Sequence, residues 1–160
     1  MAKNKVSMTP AMRLLLKEKV EFEDFTYAYE DKGGTAVSSR ELGVDEHYII
    51  KTLVMEDEHK KPLIVLMHGD RQVSTKKLAR LIGVKSISPC SPETANKHTG
   101  YLVGGTSPFA TRRAMPVYME QTIAELSRIY INGGKRGYVV SLDPREVMRI
   151  LKPTLVQVGI

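Results

Sequence analysis

The sequence is poor in the residues that cross-link small secreted proteins or anchor a chain in a membrane. It has one cysteine, Cys90, and no tryptophan, and aromatic residues make up only 6% of its 160 residues. One cysteine excludes an internal disulfide and cannot by itself hold a zinc ion, which agrees with a reducing compartment. The longest apolar run, residues 63–67, is too short to span a bilayer, and residues 1–10 lack the apolar segment of a signal peptide. We therefore expect a cytoplasmic protein without a membrane partner.

The net charge of +6 is divided unevenly along the chain. Residues 1–70 carry 10 Lys/Arg and 13 Asp/Glu, whereas residues 71–160 carry 14 and 5. Clustered cations are typical of phosphate binding, although a count along the chain does not show that they share one face. The basic half therefore predicts either a surface that contacts nucleic acid or a solvated basic surface. The candidate side chains for such contacts are Lys76, Lys77, Arg80, Arg112, Arg113, Lys135 and Arg136.

Apolar periodicity predicts an α/β (α+β) fold with one domain over residues 1–160 and no internal linker. Thr9 and Pro10 predict the start of a first helix, as N-cap and first helical residue. Further helices are predicted over 35–43, 74–84 and 144–152. Strands are predicted over 21–30, 49–57, 61–70, 115–120, 128–132 and 138–142, of which the second and third should be neighbours in a sheet.

Several other functions are weakened by the residues themselves. The helix predicted over 74–84 resembles the first helix of a helix-turn-helix, which would make the chain a DNA-binding regulator. Pro89 and Pro92 exclude a continuous recognition helix in the next segment, so no DNA partner is predicted. The four histidines do not occur at the spacing of metal ligands on one helix, so no metal or other cofactor is predicted. Cys90 lies in a polar segment without a neighbouring cation, which favours an incidental thiol over a nucleophile.

Two features point to a functional site. Lys51 is a cation within an apolar predicted strand, and a charge there is costly unless it faces a cleft or an anion. The alternative is an edge-strand lysine that points to solvent. The second feature is the segment LVGGTSPFA at 102–110, where Gly104 and Gly105 can bring backbone N–H groups close to a ligand and Pro108 fixes the far end. The alternative for this segment is a simple tight turn.

Three segments, YIIKTLV, TGYLVGGTSP and IYINGGKRG, occur in this order along the chain. In sequence and spacing they resemble the YbaK/EbsC family, which is similar to the editing domain of bacterial prolyl-tRNA synthetases, and the likeness extends over residues 9–152. Proteins of this family are aminoacyl-tRNA deacylases that act in trans, and the YbaK branch removes cysteine from proline tRNA. The resemblance implies a mixed, barrel-like β-sheet surrounded by helices. It also implies mischarged proline tRNA as a partner and makes prolyl-tRNA synthetase a candidate second partner.

The resemblance further implies a set of site residues. It places the family's essential lysine at Lys51, a supporting hydroxyl at Thr52 and a tyrosine of the pocket at Tyr27. The substrate loop falls on Gly104, Gly105, Thr106, Ser107 and Pro108, and the far wall of the pocket falls on Asn132, Gly133 and Gly134. Asn132 and Val139 stand where the family pattern has serine and aspartate. This departure leaves open whether the amino acid removed is Cys, Ala, Ser or Thr.

The expected chemistry relies on orientation more than on a protein nucleophile. In the YbaK branch the thiol of the substrate cysteine attacks the ester carbonyl, whereas a water would have to attack for Ala, Ser or Thr. The sequence suggests no Ser-His-Asp set and no catalytic carboxylate pair, so we expect positioning and electrostatic stabilisation to carry the reaction. The alternative is a non-catalytic module that binds tRNA or a synthetase. Lys51 and the complete GGTSP segment argue against that alternative.

Overall fold

The computed structural model describes residues 6–160, within which it contains five α-helices and eight β-strands. The helices are α1 (Pro10–Lys17), α2 (Gly34–Leu42), α3 (Thr75–Ile82), α4 (Pro92–Thr99) and α5 (Pro144–Leu151). The strands are β1 (Glu23–Thr26), β2 (Ile49–Asp57), β3 (Pro62–His68), β4 (Ile87–Pro89), β5 (Val117–Glu120), β6 (Ile129–Asn132), β7 (Tyr138–Leu142) and β8 (Thr154–Val156). The single domain expected over residues 1–160 stays a prediction, and its first five residues lie outside the described part.

The strands form one mixed sheet in the order β1-β7-β6-β2-β3-β5-β8, with β4 pairing to β2 beside this path. Neighbours β2 and β3 are antiparallel, as are β6 with β7 and β1 with β7, whereas β6 is parallel to β2 and β5 is parallel to β3. The predicted pairing of the two long apolar strands is therefore confirmed. The predicted fold class, a mixed sheet with helices packed around it, is confirmed as well.

Two hydrophobic clusters lie on opposite faces of the central strands. Every residue of β3 is buried, and its side chains alternate between the clusters. Ile64 and Leu66 belong to the larger cluster with α1 and α5, while Leu63, Val65 and Met67 join the smaller one beneath α3. Since successive strand residues point to opposite faces, a continuous apolar run is what a strand covered on both faces requires.

The helix ends follow the local signals of the sequence. The Thr9 hydroxyl accepts from the Met12 N–H at 3.2 Å, and Pro10 occupies the first turn of α1. Ser74 caps α3 and Asp143 caps α5 in the same way. These caps satisfy N–H groups that the first helical turn leaves without partners. The predicted α1, α2, α3 and α5 are confirmed, each with ends within a few residues of the prediction.

The sequence interpretation was wrong or incomplete at short elements. The strand predicted over 21–30 is limited to β1, because the chain leaves the sheet after Thr26. The segment around the two prolines was correctly denied a continuous helix, but it contains β4 and then α4, which begins at Pro92 with Ser91 as its cap. Strand β8 was also missed. No helix of the described residues is long and apolar enough to cross a membrane.

Candidate functional site

A cavity of about 430 Å³ lies along one edge of β2. Six of the predicted site residues line it: Tyr27, Lys51, Thr52, Gly104, Thr106 and Asn132. They come from the chain after β1, from β2 itself, from the loop between α4 and β5, and from the end of β6. The remaining predicted residues, Gly105, Ser107, Pro108, Gly133 and Gly134, lie behind this lining and are buried or half-buried.

Lys51 lies on an interior strand, because β2 is flanked by β3 on one side and by β6 and β4 on the other. β2 is therefore not an outer strand of the sheet, although within residues 6–160 its side toward β6 and β4 has no strand partner between Ile50 and Met55. The ammonium is half-buried at the cavity and donates a hydrogen bond to the carbonyl of Arg71. Burial lowers the pKa of Lys51, and the negative charges of Glu46 and Asp70 oppose that change in part. The Lys51 side chain thus contacts protein groups through its ammonium and also lines the cavity.

The loop over residues 102–109 is anchored at both ends by buried groups. The Tyr101 hydroxyl donates to the Phe109 carbonyl at 2.6 Å, and both side chains belong to the larger cluster. Burial raises the pKa of Tyr101 to about 12, so its hydroxyl stays a donor at neutral pH. The Ser107 hydroxyl accepts from the Phe109 N–H at 3.1 Å. The Ser107 hydroxyl therefore stabilises the conformation of the loop. The two residues that flank the loop segment, Tyr101 and Phe109, attach it to the core.

The two glycines of this loop differ in what they face. Gly104 has φ +96° and lines the cavity, and a Cβ there would overlap the Tyr29 hydroxyl. The Gly105 N–H donates to the Leu102 carbonyl at 2.9 Å, and a Cβ on Gly105 would lie 2.5 Å from the backbone of Lys135 and Arg136. Gly105 therefore packs against the turn at Lys135 and Arg136, and its N–H is not free to bind a ligand. Of the two glycines, Gly104 is the one that lines the cavity.

The turn after β6 forms the back of the same wall. Gly133 packs against the Tyr138 ring, and Gly134 packs against Thr9 and Tyr101, so both face the core side. Arg136 faces the cavity, and its Nε donates to the Val103 carbonyl at 2.9 Å. Its guanidinium lies 5.1 Å from the centre of the Tyr29 ring, within cation–π range. Residues 133–137 form the hairpin turn that joins the antiparallel strands β6 and β7.

Sequence reasoning missed Tyr29 and Arg136 as cavity residues. Tyr29 lay in the alternating pattern assigned to the first strand, and Arg136 was counted only as a surface cation. Each of the two loops contains a pair of adjacent glycines, Gly104-Gly105 and Gly133-Gly134. Because glycine allows close approach of the backbone, these pairs were the signal that the two loops could pack together, with Tyr29 and Arg136 beside them.

Cys90 also lines the cavity, which its sequence context did not indicate. Its Sγ lies 3.8 Å from the Glu56 carboxylate. Burial, assisted by the charge of Glu56, raises the pKa of Cys90 to about 11. Only the thiolate is a strong nucleophile, so at neutral pH this residue contributes a neutral thiol to the cavity wall.

Thr52 carries a buried hydroxyl without a hydrogen-bond partner among residues 6–160. Ser141 on β7 has the same property, but it does not line the cavity. Buried hydroxyls nearly always have partners, because an unmatched one loses its hydration without compensation. Thr52 therefore lines the cavity with a hydroxyl whose hydrogen-bonding capacity is unused among residues 6–160.

Three side chains that can ligate metals meet next to Lys51: His68 and Asp70 are close in sequence, and His47 precedes His68 by 21 residues. One ligand atom from each of His47, His68 and Asp70 lies within 4.8 Å of the others. Both nitrogens of the buried His68 are engaged, Nδ1 with the His47 carbonyl and Nε2 with the Thr122 hydroxyl, each at 2.7 Å. The His47 ring stacks on His68 at 3.8 Å and contacts Asp70 at 3.1 Å. Because both nitrogens of His68 are engaged by protein groups, neither is free for a metal in this arrangement.

Comparison with known proteins identifies the family of the chain. Residues 31–150 match the family described as the aminoacyl-tRNA editing domain. The protein named "Putative Cys-tRNA(Pro)/Cys-tRNA(Cys) deacylase EbsC" from Enterococcus faecalis is 30% identical over 152 residues, which cover 94% of this chain and 93% of that protein. A proline–tRNA ligase from Thermodesulfovibrio yellowstonii is 34% identical over 107 residues, which cover 67% of this chain but only 17% of the ligase.

Solved structures show the same fold. A crystal structure described as a putative trans-editing enzyme for prolyl tRNA synthetase superposes with a TM-score of 0.81 at 18% identity, covering 98% of this chain and 99% of that one. A hypothetical protein of known structure superposes with a TM-score of 0.86 at 20% identity, covering 95% and 100%. With a family match over three quarters of its length and a relative aligned over nearly all of it, the chain belongs to the aminoacyl-tRNA editing domain family.

Proposed function

We propose that this protein hydrolyses the ester bond of mischarged aminoacyl-tRNA in trans, with cysteinyl-tRNA(Pro) as its preferred substrate. The observation that carries the proposal is the cavity beside Lys51, Thr52 and Gly104. Its volume of about 430 Å³ falls within the range of small-ligand sites and suits an amino acid joined to one nucleoside. The family match supports the reaction class, and the name of the Enterococcus relative supports the choice of amino acid and tRNA.

The cations at the cavity suit the end of a tRNA. Lys51 lies inside and Arg136 at the loop side, while Tyr27 and Tyr29 offer aromatic faces. Adenine stacks favourably on such faces, and the ribose phosphates attract the two cations. In this arrangement Lys51 orients the acylated ribose, and the rigid loop around Gly104 limits the space for the aminoacyl group.

The chemistry follows from positioning. An aminoacyl ester is already activated, so a fixed donor at the acyl carbonyl and a fixed cation near the ribose oxygens can stabilise the charge that develops on attack. For a cysteine ester, the substrate's own sulfur attacks the carbonyl carbon, the bond to the ribose oxygen breaks, and the thiol proton passes to that oxygen. Water then opens the cyclic thioester and releases cysteine. When the amino acid is Ala, Ser or Thr, a water attacks the carbonyl carbon directly and the same ribose oxygen leaves with a proton. The neutral thiol of Cys90 is not assigned a role in attack.

Walls of moderate size favour a small uncharged amino acid. Val37, Ala95, Val103 and Val139 contribute apolar surface to the cavity. A charged side chain placed against these four residues would lose part of its hydration. The thiol of cysteine and the methyl of alanine incur no such loss.

The proposal is tested by a deacylation assay over tRNA(Pro) charged with Cys, Ala, Ser, Thr and Pro, with and without prolyl-tRNA synthetase. We expect Cys-tRNA(Pro) to be hydrolysed fastest and Pro-tRNA(Pro) to remain intact. Faster hydrolysis of the Ala, Ser or Thr ester would reassign the amino acid. Binding of these tRNAs without turnover of any would establish the alternative, a non-catalytic binding module. A requirement for the synthetase would identify it as the source of tRNA selection.

A further inference from the structure

Strand β2 has an open edge at the centre of the cavity. On one side it pairs with β3 from Ile50 to Glu56. On the other side it pairs with β6 only at Ile49 and Ile50, and with β4 only from Met55 to Asp57. In the part of the chain that the structure describes, residues 51–54 have no strand partner there. The cavity opens at this gap, since Asn132 at the end of β6 and Cys90 just after β4 line its two margins.

Within the open edge, only one residue directs both its backbone N–H and its backbone C=O into the gap. The Ile49 carbonyl accepts from the Gly69 N–H, on the β3 side, at 2.6 Å. The Val54 carbonyl accepts from the Cys90 N–H, on the β4 side, at 3.0 Å. Along a strand, the backbone N–H and C=O groups of successive residues point alternately to one side and the other. The backbone groups of the even-numbered residues of β2 therefore point away from β3. Thr52 therefore directs its N–H and its C=O into the gap.

An amino acid ester presents the complementary pair of groups. In an antiparallel pair, two opposed residues exchange both N–H···O=C bonds, so one residue's own nitrogen and carbonyl suffice to complete the exchange. The α-ammonium of an aminoacyl group corresponds to that nitrogen and the ester carbonyl to that oxygen. The same residue carries the hydroxyl that has no hydrogen-bond partner among residues 6–160.

We propose that the aminoacyl group binds as a one-residue strand on Thr52, whose N–H donates to the acyl carbonyl oxygen and whose C=O accepts from the α-ammonium. This inference rests on the proposed function and specifies the class of ligand, an α-aminoacyl ester of a nucleoside. It assigns the donor for the developing oxyanion to β2, whereas the Gly105 N–H is already bonded to Leu102. Backbone pairing reads atoms that all amino acids share, which leaves selection among them to the walls.

The test uses amide hydrogen exchange of the whole protein by NMR, with 3′-(L-alanylamido)-3′-deoxyadenosine as a non-hydrolysable probe. In the free protein, Thr52 should exchange at least about tenfold faster than its neighbours Lys51 and Leu53, which bond to β3. Saturation with the probe should slow the exchange of Thr52 at least about tenfold. A matched 3′-propionylamido compound, which lacks the α-amine, should bind at least about tenfold more weakly because the Thr52 carbonyl loses its donor.

A Thr52 amide already protected in the free protein would overturn the proposal, and so would one that still exchanges rapidly with the probe bound. Thr52→Val keeps the backbone groups and removes the hydroxyl, so its residue 52 amide should still be protected by the probe. Loss of that protection would assign binding to the hydroxyl instead. Deacylation measured on the same preparation separates the two levels: turnover without Thr52 protection defeats only this inference, and absence of both binding and turnover defeats the proposed function as well.

Discussion

Lys51 occupies a position that the fold alone would not favour. Its ammonium is half-buried on an interior strand, and burial disfavours its charged form despite the bond to the Arg71 carbonyl. A group whose charge is disfavoured in the folded state opposes folding while it is protonated. This opposition fits a residue retained for binding.

Lys51→Ala should abolish deacylation while lowering the free energy of unfolding by less than about 1 kcal/mol, because relief of desolvation offsets the lost bond to Arg71. Single-turnover hydrolysis and urea unfolding on one preparation measure both quantities. Lys17→Ala, at an exposed position of α1, should leave activity unchanged. Lys51→Arg keeps the positive charge but replaces the compact ammonium by a guanidinium, so its activity shows whether the charge alone is sufficient for deacylation. A stable, active Lys51→Ala protein would contradict the assigned role.

His68 should make stability depend on pH. Burial lowers its pKa, with the carbonyl of His47 and the charges of Asp70 and Glu120 opposing and the charge of His47 adding to the effect. In the unfolded chain the pKa is about 6.5, so below this pH the unfolded state takes up a proton that the folded state resists. The free energy of unfolding should therefore fall as pH decreases from about 7 toward the lowered pKa.

Urea unfolding at several pH values measures this effect. His68→Gln removes the titrating group, so the variant should be less stable at neutral pH but should lose less stability on acidification. His59→Gln, at a side chain that is 71% exposed, should keep the profile of the parent protein. Parallel pH profiles for the parent and the His68 variant would contradict the argument.

At the scale of elements, the loop over 102–109 is fixed to the core at both ends, and at its middle Gly104 has no side chain that would collide with Tyr29. Tyr101 and Phe109 hold it to the core, and Gly104 lets it pass the Tyr29 hydroxyl. A Cβ at Gly104 would both strain the backbone at φ +96° and displace Tyr29 into the cavity. The loop is therefore more than a simple turn in its packing, and its role in binding can be separated by mutation.

Gly104→Ala should reduce kcat/KM by at least about tenfold, because the displaced ring occupies substrate space. Gly83→Ala is the matched control: its φ is +79°, and nothing lies within 4 Å of the added Cβ. Both variants should lose about 1 kcal/mol of stability from backbone strain, and only the Gly104 variant should lose activity. Thermal unfolding and steady-state deacylation provide the comparison. Equal activities would reduce the loop to a structural turn.

At the scale of the whole molecule, the basic residues do not form one predictable face. All seven candidate cations are exposed, but they lie on different elements. Lys135 and Arg136 belong to the turn that packs on the cavity loop, whereas Lys76 and Lys77 belong to α3, which packs against β4, and do not line the cavity. A tRNA acceptor end that enters the cavity would meet the first pair.

Affinity for tRNA(Pro) should fall steeply between about 50 and 200 mM salt, because phosphate contacts release counterions. The double variant Lys135→Glu/Arg136→Glu should weaken binding and reduce the slope of log Kd against log salt by about 1–2. Lys76→Glu/Lys77→Glu changes the net charge equally and should have the smaller effect. Fluorescence anisotropy over a salt series measures both slopes. Salt-independent binding, or equal effects of the two variants, would contradict docking through the loop side.

The sequence by itself determined the parts of this protein that depend on neighbouring residues. Caps at Thr9, Ser74 and Asp143 satisfy N–H groups within three residues, so the helices they begin were predictable. The strand over 61–70 was predictable as well, because a run of β-forming apolar residues is also a local signal. Strand β4 escaped prediction because three residues carry no periodicity. Helix α4 is as long as α1, but its sequence PETANKHT has no apolar stripe, so it escaped prediction although Ser91-Pro92 is a recognisable helix start.

Only the tertiary structure decided where the chemistry lies. Tyr29, Gly104 and Arg136 converge from three distant segments, and His47 meets His68 across 21 residues. The open edge at Thr52 exists because β6 departs after Ile50 and β4 arrives only at Met55. Lys51 and the GGTSP segment could be singled out in sequence because each breaks a local pattern. The gap breaks none, because strand pairing is chosen by burial and hydrogen bonding between segments whose separation along the chain leaves no periodic trace.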